Sequence, residues 1–464
     1  MFEASLYAAR RRALMESVKT GCILLPGNDF VGMNYQANAF PFRQDGSFLY
    51  FVGLNEPAHC LWLDCESGKE MLCGPSLGLE HTIWSGAAPS LQELAARAGL
   101  ESTWTMAELA DACHEAQRQG RAVHYLPSYQ GDGVLRLCRL LGAAPETVEA
   151  GASYTLIRAV VALRSVKSDE EVGEIRHALA LSAEMYAELM AVCAPGAAEI
   201  ELYGRLQGLI LARGSREAFP MILSRRGEVL HNHTRDQILR DGDLLLVDSG
   251  VCSPLGYVSD ITRTVPVGGK FSARQKQIYE IVLGALAEGT ACMAPGVPFV
   301  ECHMAAAMTV ARGLTDVGLM RGDPAEAVAA GAHALFFPHG LGHMLGLDPH
   351  DMESLGEDFV GYDDNFRRST QFGLSGLRMG RRLQPGFVMT VEPGIYFIPA
   401  LIDLWRKEGR LAQFINYDAL DSYREFGGIR VEDNVLVTET GVEVLSVSIP
   451  KTVDDVCAAM RRAF

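Results

Sequence analysis

The stretch Arg240–Pro266, RDGDLLLVDSGVCSPLGYVSDITRTVP, decides how the rest of the chain is read. Leu244 to Val247 is a continuous apolar run bounded by Asp-Gly and Ser-Gly, the pattern of a strand buried on both faces. Asp248 therefore falls where a lone carboxylate is costly. The chain turns at Ser253-Pro254-Leu255-Gly256 and returns through Tyr257 to Val265, a segment rich in β-branched residues. Symmetry about Pro254 predicts that Asp248 faces Asp260 across a hairpin, at the roughly 5 Å separation of same-face cross-strand neighbours. Two buried carboxylates so placed repel and lose solvation, so they share a proton or bind cations. Two exposed hairpin acids are the plainer alternative.

The 464 residues are 48% hydrophobic and 21% charged, an ordinary globular composition with room for two or three domains. A net charge of -16 argues against nucleic acid or an anionic membrane as a standing partner, and the basic triplet Arg10 to Arg12 is too short to offset it. There is no signal-peptide pattern and no apolar run approaching about 18 residues, so a cytoplasmic location is expected. The eleven cysteines include no C-x-x-C pair. Cys60, Cys65 and Cys73 cluster without zinc spacing, and buried reduced thiols are expected.

Residues up to about 160 alternate short apolar strands (Cys22 to Leu25, Phe48 to Val52, Cys60 to Leu63) with helical patterns at Leu91 to Ala98 and Ala107 to Gln117. A boundary near Ser165 divides the chain into domains 1–165 and 166–464. Beyond it the sequence repeats. Ser168 and Glu171 form a capping box that opens a long helix to about Val192, followed by Ala194-Pro195-Gly196 and a second helix; Ser272 and Gln275 open the same series ending at Ala294-Pro295-Gly296. DGDLLLVDSG at Asp241 to Gly250 is echoed by PGFVMTVEPG at Pro385 to Gly394, which makes Glu392 the counterpart of Asp248. Together these matches predict an internal duplication whose halves face each other across a site. The second half carries extra length, mainly at Met352 to Leu383, and a long connection at Pro399 to Phe426 precedes the predicted last strand, Gly428 to Val437. Lids and simple covering segments are both open readings of these stretches.

The chemistry lies in the same half. HGLGH at His339 to His343 has the spacing of a helical metal pair, but its glycines disfavour a helix and no Glu follows His339. A glycine-rich loop brings backbone close to a site instead. Asp248, Asp260, Glu392 and Glu432 with His343 make an oxygen-rich set with one nitrogen. Four such carboxylates in a buried cleft require cations, and two divalent ions neutralise them.

The order Asp, Asp, His, Glu, Glu, in the signatures VDSG, SDITRTVPV, FFPHGLGHMLGLDPHD, TVEPGIY and GIRVEDNVLVTETG, resembles the metallopeptidase family of Xaa-Pro aminopeptidase, Xaa-Pro dipeptidase and methionine aminopeptidase. PFRQDGSFLYFVGLNEP at Pro41 to Pro57 resembles the N-terminal domain of aminopeptidase P, which methionine aminopeptidase normally lacks. The resemblance implies an N-terminal creatinase-like α/β domain followed by a duplicated pita-bread α/β catalytic domain. Two departures stand out. The spacing from Asp248 to Asp260 is one residue longer than the common pattern, which a bulge or wider turn must absorb, and Asn434 stands where a second Asp is frequent.

By resemblance, Asp248 and Asp260 bind one metal, His343 and Glu392 join on the other side, and Asp260 and Glu432 bridge. Manganese suits this ligand set best, with cobalt, iron or zinc as alternatives. Two ions about 3.5–4 Å apart activate a water and polarise the scissile carbonyl, with Glu392 shuttling a proton. His231, His339 and His350 match family positions that hydrogen-bond the reacting centre and pass a proton to the departing proline nitrogen. Arg430 orients carboxylates or binds substrate, and Trp84 resembles an aromatic that reaches a neighbouring subunit in some relatives. The expected activity is removal of the N-terminal residue from peptides with proline second. An Xaa-Pro dipeptidase is the close alternative, and a non-enzymatic binding module the distant one. A homodimer or larger homo-oligomer is expected from the resemblance.

Overall fold

The computed structural model describes residues 1–461. They divide into two compact units, Met1–Arg164 with Met352–Phe359, and Ser165–Asp351 with the chain from Val360 onward. The first unit is built on a mixed five-stranded sheet in the order Ser102–Thr105, Glu70–Gly74, Cys60–Asp64, Cys22–Pro26, Val123–His124. Its core includes Cys22, Leu24, Cys60, Trp62, Cys73, Leu109 and Cys113. The cysteines of the described residues are unpaired thiols, and none is exposed.

The run at Phe48 to Val52, expected as a strand, is a helix spanning Gly46–Val52. Five consecutive apolar residues suit a buried strand or a short buried helix equally well, and the flanks decide. Asp45 accepts the Phe48 N–H at 2.9 Å, and Gly53 closes the C-terminus in the left-handed region at φ 75. Trp84 lies on the helix Leu79–Ser85 with 81% of its surface exposed.

In the second unit the duplication is visible bond by bond. Ser168 caps the helix Asp169–Val192 and Ser272 caps Ala273–Cys292, each by the reciprocal capping box expected. After each helix, Gly196 (φ 90) and Gly296 (φ 83) make the turn. The Gly196 N–H bonds Leu239 O and the Gly296 N–H bonds Leu383 O, while Glu199 N–H bonds Gln237 O and Phe299 N–H bonds Arg381 O. The first partners differ by 100 in number and the second by 144, so the extra length of the second half lies between Phe299 and Arg381. Arg381 to Leu383 belong to the repeat itself.

Each half ends in a three-stranded antiparallel sheet. The first has the order Ile261–Pro266, Leu244–Ser249, Ile222–Ser224, and the second Val388–Val391, Asp433–Val437, Val442–Val444. The predicted last strand is broken. Gly428–Arg430 pairs with Gly394–Tyr396, and Asp433–Val437 with Val388–Val391, so Glu392 and Glu432 sit in matching gaps between two ladders. Alternation of apolar and polar residues continues through such a gap, which is why the pattern reads as one strand. The connection Pro399 to Phe426 folds as a helix, Pro399–Glu408, with Ile402 and Trp405 buried, followed by Tyr423 stacked 4.6 Å from Phe397.

Lys167, just before the first repeat helix, is buried beside Asp351, Nζ to Oδ2 3.0 Å, with side chains 1% and 2% exposed. Its N–H bonds Gly386 O at 2.8 Å. The pair thus fastens the end of the His-rich segment to the start of the domain. Lys167→Met leaves a buried carboxylate without its ammonium, and urea titration is expected to show a loss of about 3–5 kcal/mol. A loss below about 1 kcal/mol would place the pair among weakly contributing surface bridges.

Candidate metal centre and active site

The hairpin of Leu244–Ser249 and Ile261–Pro266 places Ser249 opposite Ile261 and Asp248 opposite Thr262. The expected facing of Asp248 and Asp260 is therefore replaced by a diagonal relation on the same face. The reason is the turn. Pairing continues as far as Cys252 opposite Val258, and Ser253 to Tyr257 close the loop with Ser253 N–H to Tyr257 O at 2.6 Å. The turn thus centres on Leu255, and a wider loop, without a bulge, takes up the additional residue.

His343 is delivered by a segment laid against Val388–Val391. Thr390 N–H bonds His343 O and the Thr390 Oγ1 accepts His343 N–H, both at 3.0 Å, while Glu392 N–H bonds Leu341 O at 2.7 Å. The glycines of HGLGH permit this approach. A Cβ at Gly342 would lie 2.0 Å from the Thr390 carbonyl oxygen, and one at Gly340 would lie 2.8 Å from the Leu377 Cα.

These elements bring the predicted set together. Asp260, His343 and Glu432 are buried, and each offers a ligand atom within 4.8 Å of the other two. His343 Nε2 lies 3.6 Å from Asp260 Oδ2 and 3.5 Å from Glu392 Oε1. The Glu432 carboxylate accepts the Thr262 hydroxyl at 2.7 Å. Asp248 joins through Arg430, whose guanidinium donates to Asp248 Oδ2 at 2.6 Å and to the Tyr396 hydroxyl at 2.7 Å. His350 packs edge-on against His343, ring centres 4.3 Å apart. His339 stands 4.0 Å from Glu392. His231 is at the exposed rim, in the electrostatic reach of Asp248, Arg430 and His350.

Burial is the largest influence on every shifted acid here. It raises Asp260 and Glu432 well above the carboxylate range, with neighbouring carboxylates adding to it, and it raises Glu392 to about 7 against the pull of Arg430. Burial also lowers His339 to about 3, so that imidazole is neutral. Its Nδ1–H donates to Gly340 O at 2.8 Å, which leaves Nε2 to accept from the Tyr396 hydroxyl at 2.9 Å. Burial disfavours the charge of Arg430, but Tyr396, Asp248 and Glu392 outweigh it and keep the guanidinium charged.

Sequence reasoning passed over Tyr396, Thr262, Thr390, Arg263 and Arg378. Tyr396 was present in TVEPGIY and Thr262 and Arg263 in SDITRTVPV, but only as signature letters. The fully buried Arg263 donates to Thr262 O and Glu432 O and pairs with Asp433 at 3.0 Å. Arg378, in the longer span between Phe299 and Arg381, acts electrostatically on Glu392, His339 and His231.

A duplicated α/β domain with acids and a histidine converging between its halves defines a metallopeptidase architecture, and the comparisons agree. Residues 173–439 match metallopeptidase family M24, and residues 7–124 match the aminopeptidase P N-terminal domain. The chain belongs to this metallopeptidase family and is an enzyme of that class. Human Xaa-Pro dipeptidase is 31% identical over 474 residues, covering 98% of this chain and 93% of the relative. Escherichia coli Xaa-Pro aminopeptidase is 31% identical over 468 residues, covering 98% and 97%. Escherichia coli aminopeptidase P in complex with substrate superposes with a TM-score of 0.81 at 28% identity, over 100% of this chain and 99% of that one. The Pseudomonas aeruginosa aminopeptidase PepP gives 0.80 at 30%, with the same coverage.

The residues present fit a metal. The His343 Nδ1–H donates to Met344 O at 3.0 Å, which fixes the tautomer and turns the Nε2 lone pair toward Asp260 and Glu392. Asp248 Oδ1 is buried and has no hydrogen-bond partner among the described residues, although Oδ2 is held by Arg430. A buried oxygen left in this way is suited to a cation.

The sign of the pH dependence follows. Acids whose folded pKa is raised give the metal-free protein stability that is complete below the ordinary carboxylate range and is lost as pH rises, for Glu392 from 4.5 to about 7. A cation removes that loss by favouring the ionised ligands. Thermal unfolding with EDTA and with manganese, at pH 5, 6, 7 and 8, is expected to show a stabilisation by metal that widens with pH. Comparing the two forms cancels the buried neutral histidines, which act in the opposite direction. A gap that is constant across this range would contradict the electrostatics described.

Proposed function

We propose that the enzyme hydrolyses the bond between an N-terminal residue and a following proline, acting as an Xaa-Pro aminopeptidase. The observation that carries this is the convergence of Asp260, His343 and Glu432 between the two halves, beside the neutral His339 and the charged Arg430. The names of the aminopeptidase relatives support the choice of bond. Asp248, Asp260, His343, Glu392 and Glu432 would hold two divalent ions, manganese fitting the oxygen-rich set best. When bound, such ions supply Lewis-acid polarisation of the carbonyl and acidify water.

The side chains do the remaining work. Glu392, whose carboxylate lies 3.5 Å from His343 and 4.0 Å from His339, is placed to take a proton from the attacking water and pass it on. Arg430 holds Asp248 in place, and Tyr396 links it to His339. His231 and His350 hydrogen-bond the oxygen on which negative charge develops. The proline nitrogen must gain a proton as the bond breaks, and Glu392, having taken one from water, is placed to supply it.

Arg378 favours a second reading, an Xaa-Pro dipeptidase, as in the human relative. In a dipeptide the free carboxylate follows proline directly, and a guanidinium whose charge is felt at Glu392 and His339 is suited to it. Turnover of Gly-Pro compared with longer X-Pro-X peptides separates the two. The aminopeptidase reading expects the longer peptides to be cleaved, and activity confined to dipeptides would replace it with the second. Asp260→Asn is expected to leave less than about a hundredth of kcat/KM. Metal analysis after manganese loading should give two ions per chain, and fewer than one would overturn the dinuclear site.

A further inference from the structure

The backbone of Asp260 turns away from its own hairpin. In the hairpin register, residues 249, 261 and 263 exchange hydrogen bonds across the ladder, so the peptide groups of Asp260 and Thr262 point the other way, to the outer edge of Ile261–Pro266. Opposite that edge runs Arg430 to Asn434. Thr262 O accepts the Glu432 N–H at 3.1 Å. At Asp260 the partner is a side chain. Asn434 Oδ1 accepts the Asp260 N–H at 3.0 Å, and Asn434 Nδ2 donates to the Asp260 carbonyl at 2.5 Å.

A carboxamide carries an acceptor oxygen and N–H donors in one plane, and it can replace the C=O and N–H of a strand partner on both counts. Asn434 is itself fixed. It is fully buried, its Cα pairs with that of Thr390, its N–H bonds Ser446 Oγ at 3.3 Å, and its carbonyl accepts Leu445 N–H at 2.8 Å. The same ladder pair therefore holds both metal-side backbones, Thr390 gripping His343 and Asn434 gripping Asp260.

From this geometry we infer that Asn434 is a positioning residue for the metal centre: its amide clamps the Asp260 backbone, and so sets where the Asp260 carboxylate sits relative to His343 and Glu432. Leu shares the branched outline of Asn, with bulkier methyl groups, but makes neither bond. Asp keeps the acceptor for the Asp260 N–H, and while ionised it cannot donate to the carbonyl. The inference rests on the reading of Asp260 as a metal ligand.

The test measures manganese binding by the metal-free protein, by calorimetry, for the wild type, Asn434→Asp, Asn434→Leu and Asp260→Asn. Asn434→Leu is expected to weaken binding about tenfold or more, and Asn434→Asp to fall between it and the wild type. In the metal-free protein, hydrogen exchange in the peptide containing Asp260 should quicken in the same order, with the unfolding midpoint moved by no more than about 4 °C. Asn434→Leu binding manganese within about twofold of the wild type, while Asp260→Asn loses it, overturns the role of Asn434 and leaves the metal site standing. Wild-type binding by Asp260→Asn overturns the reading of the site, and the inference with it. Failure of both Asn434 variants to fold also overturns it, since the residue then serves the core as a whole.

Discussion

The two halves of the catalytic unit meet at an edge that carries the site. The outer side of Ile261–Pro266 has no third strand in its own sheet, and the chain from Arg430 to Asn434 takes that place through one backbone hydrogen bond, Glu432 N–H to Thr262 O, and a set of side chains. Arg263, without measurable exposure, ties the carbonyls of Thr262 and Glu432 to Asp433. An ordinary ladder would have spent these peptide groups on pairing and left no gap for acids. Because the join is made by side chains, the strands can bend apart at Glu392 and Glu432, and carboxylates from both sheets enter the space between them.

That space is electrostatically demanding, and its surroundings are arranged accordingly. Arg430 is the charged group that faces Asp248 directly, and it is itself held by Thr262 and Tyr396. The two histidines with fixed Nδ1 donors, His339 and His343, both present Nε2 as an acceptor, one to a hydroxyl and one to the acids. Backbone carbonyls one residue along the chain set both tautomers. Proton positions in this site are thus dictated locally, by the loop that carries the histidines.

Much of this was legible in the sequence, and the reasons are particular. The duplication could be read because capping boxes and turn glycines are local signals, and the offsets of 100 and 144 reappear in the hydrogen bonds. The hairpin register was misplaced because symmetry about a turn assumes its length, and Ser253 to Tyr257 form a wider loop than Pro254 alone suggests. Phe48 to Val52 and Gly428 to Val437 were misread for one reason: apolar periodicity reports burial and is blind to which neighbour supplies it. Asn434 looked like a mere departure from the familiar pattern. Its role depends on Asp260, 174 positions away, and no local pattern encodes such a contact.

The extra length between Phe299 and Arg381 has a consequence for how such an enzyme can change. The repeat bonds resume at Arg381 and Leu383 as though nothing had been added, so the scaffold fixes both ends of this span whatever its length. The span carries Arg378, whose charge acts on Glu392, His339 and His231. Because the same span also carries His339, His343 and His350, a change in its length is felt by the histidines of the site as well as by Arg378.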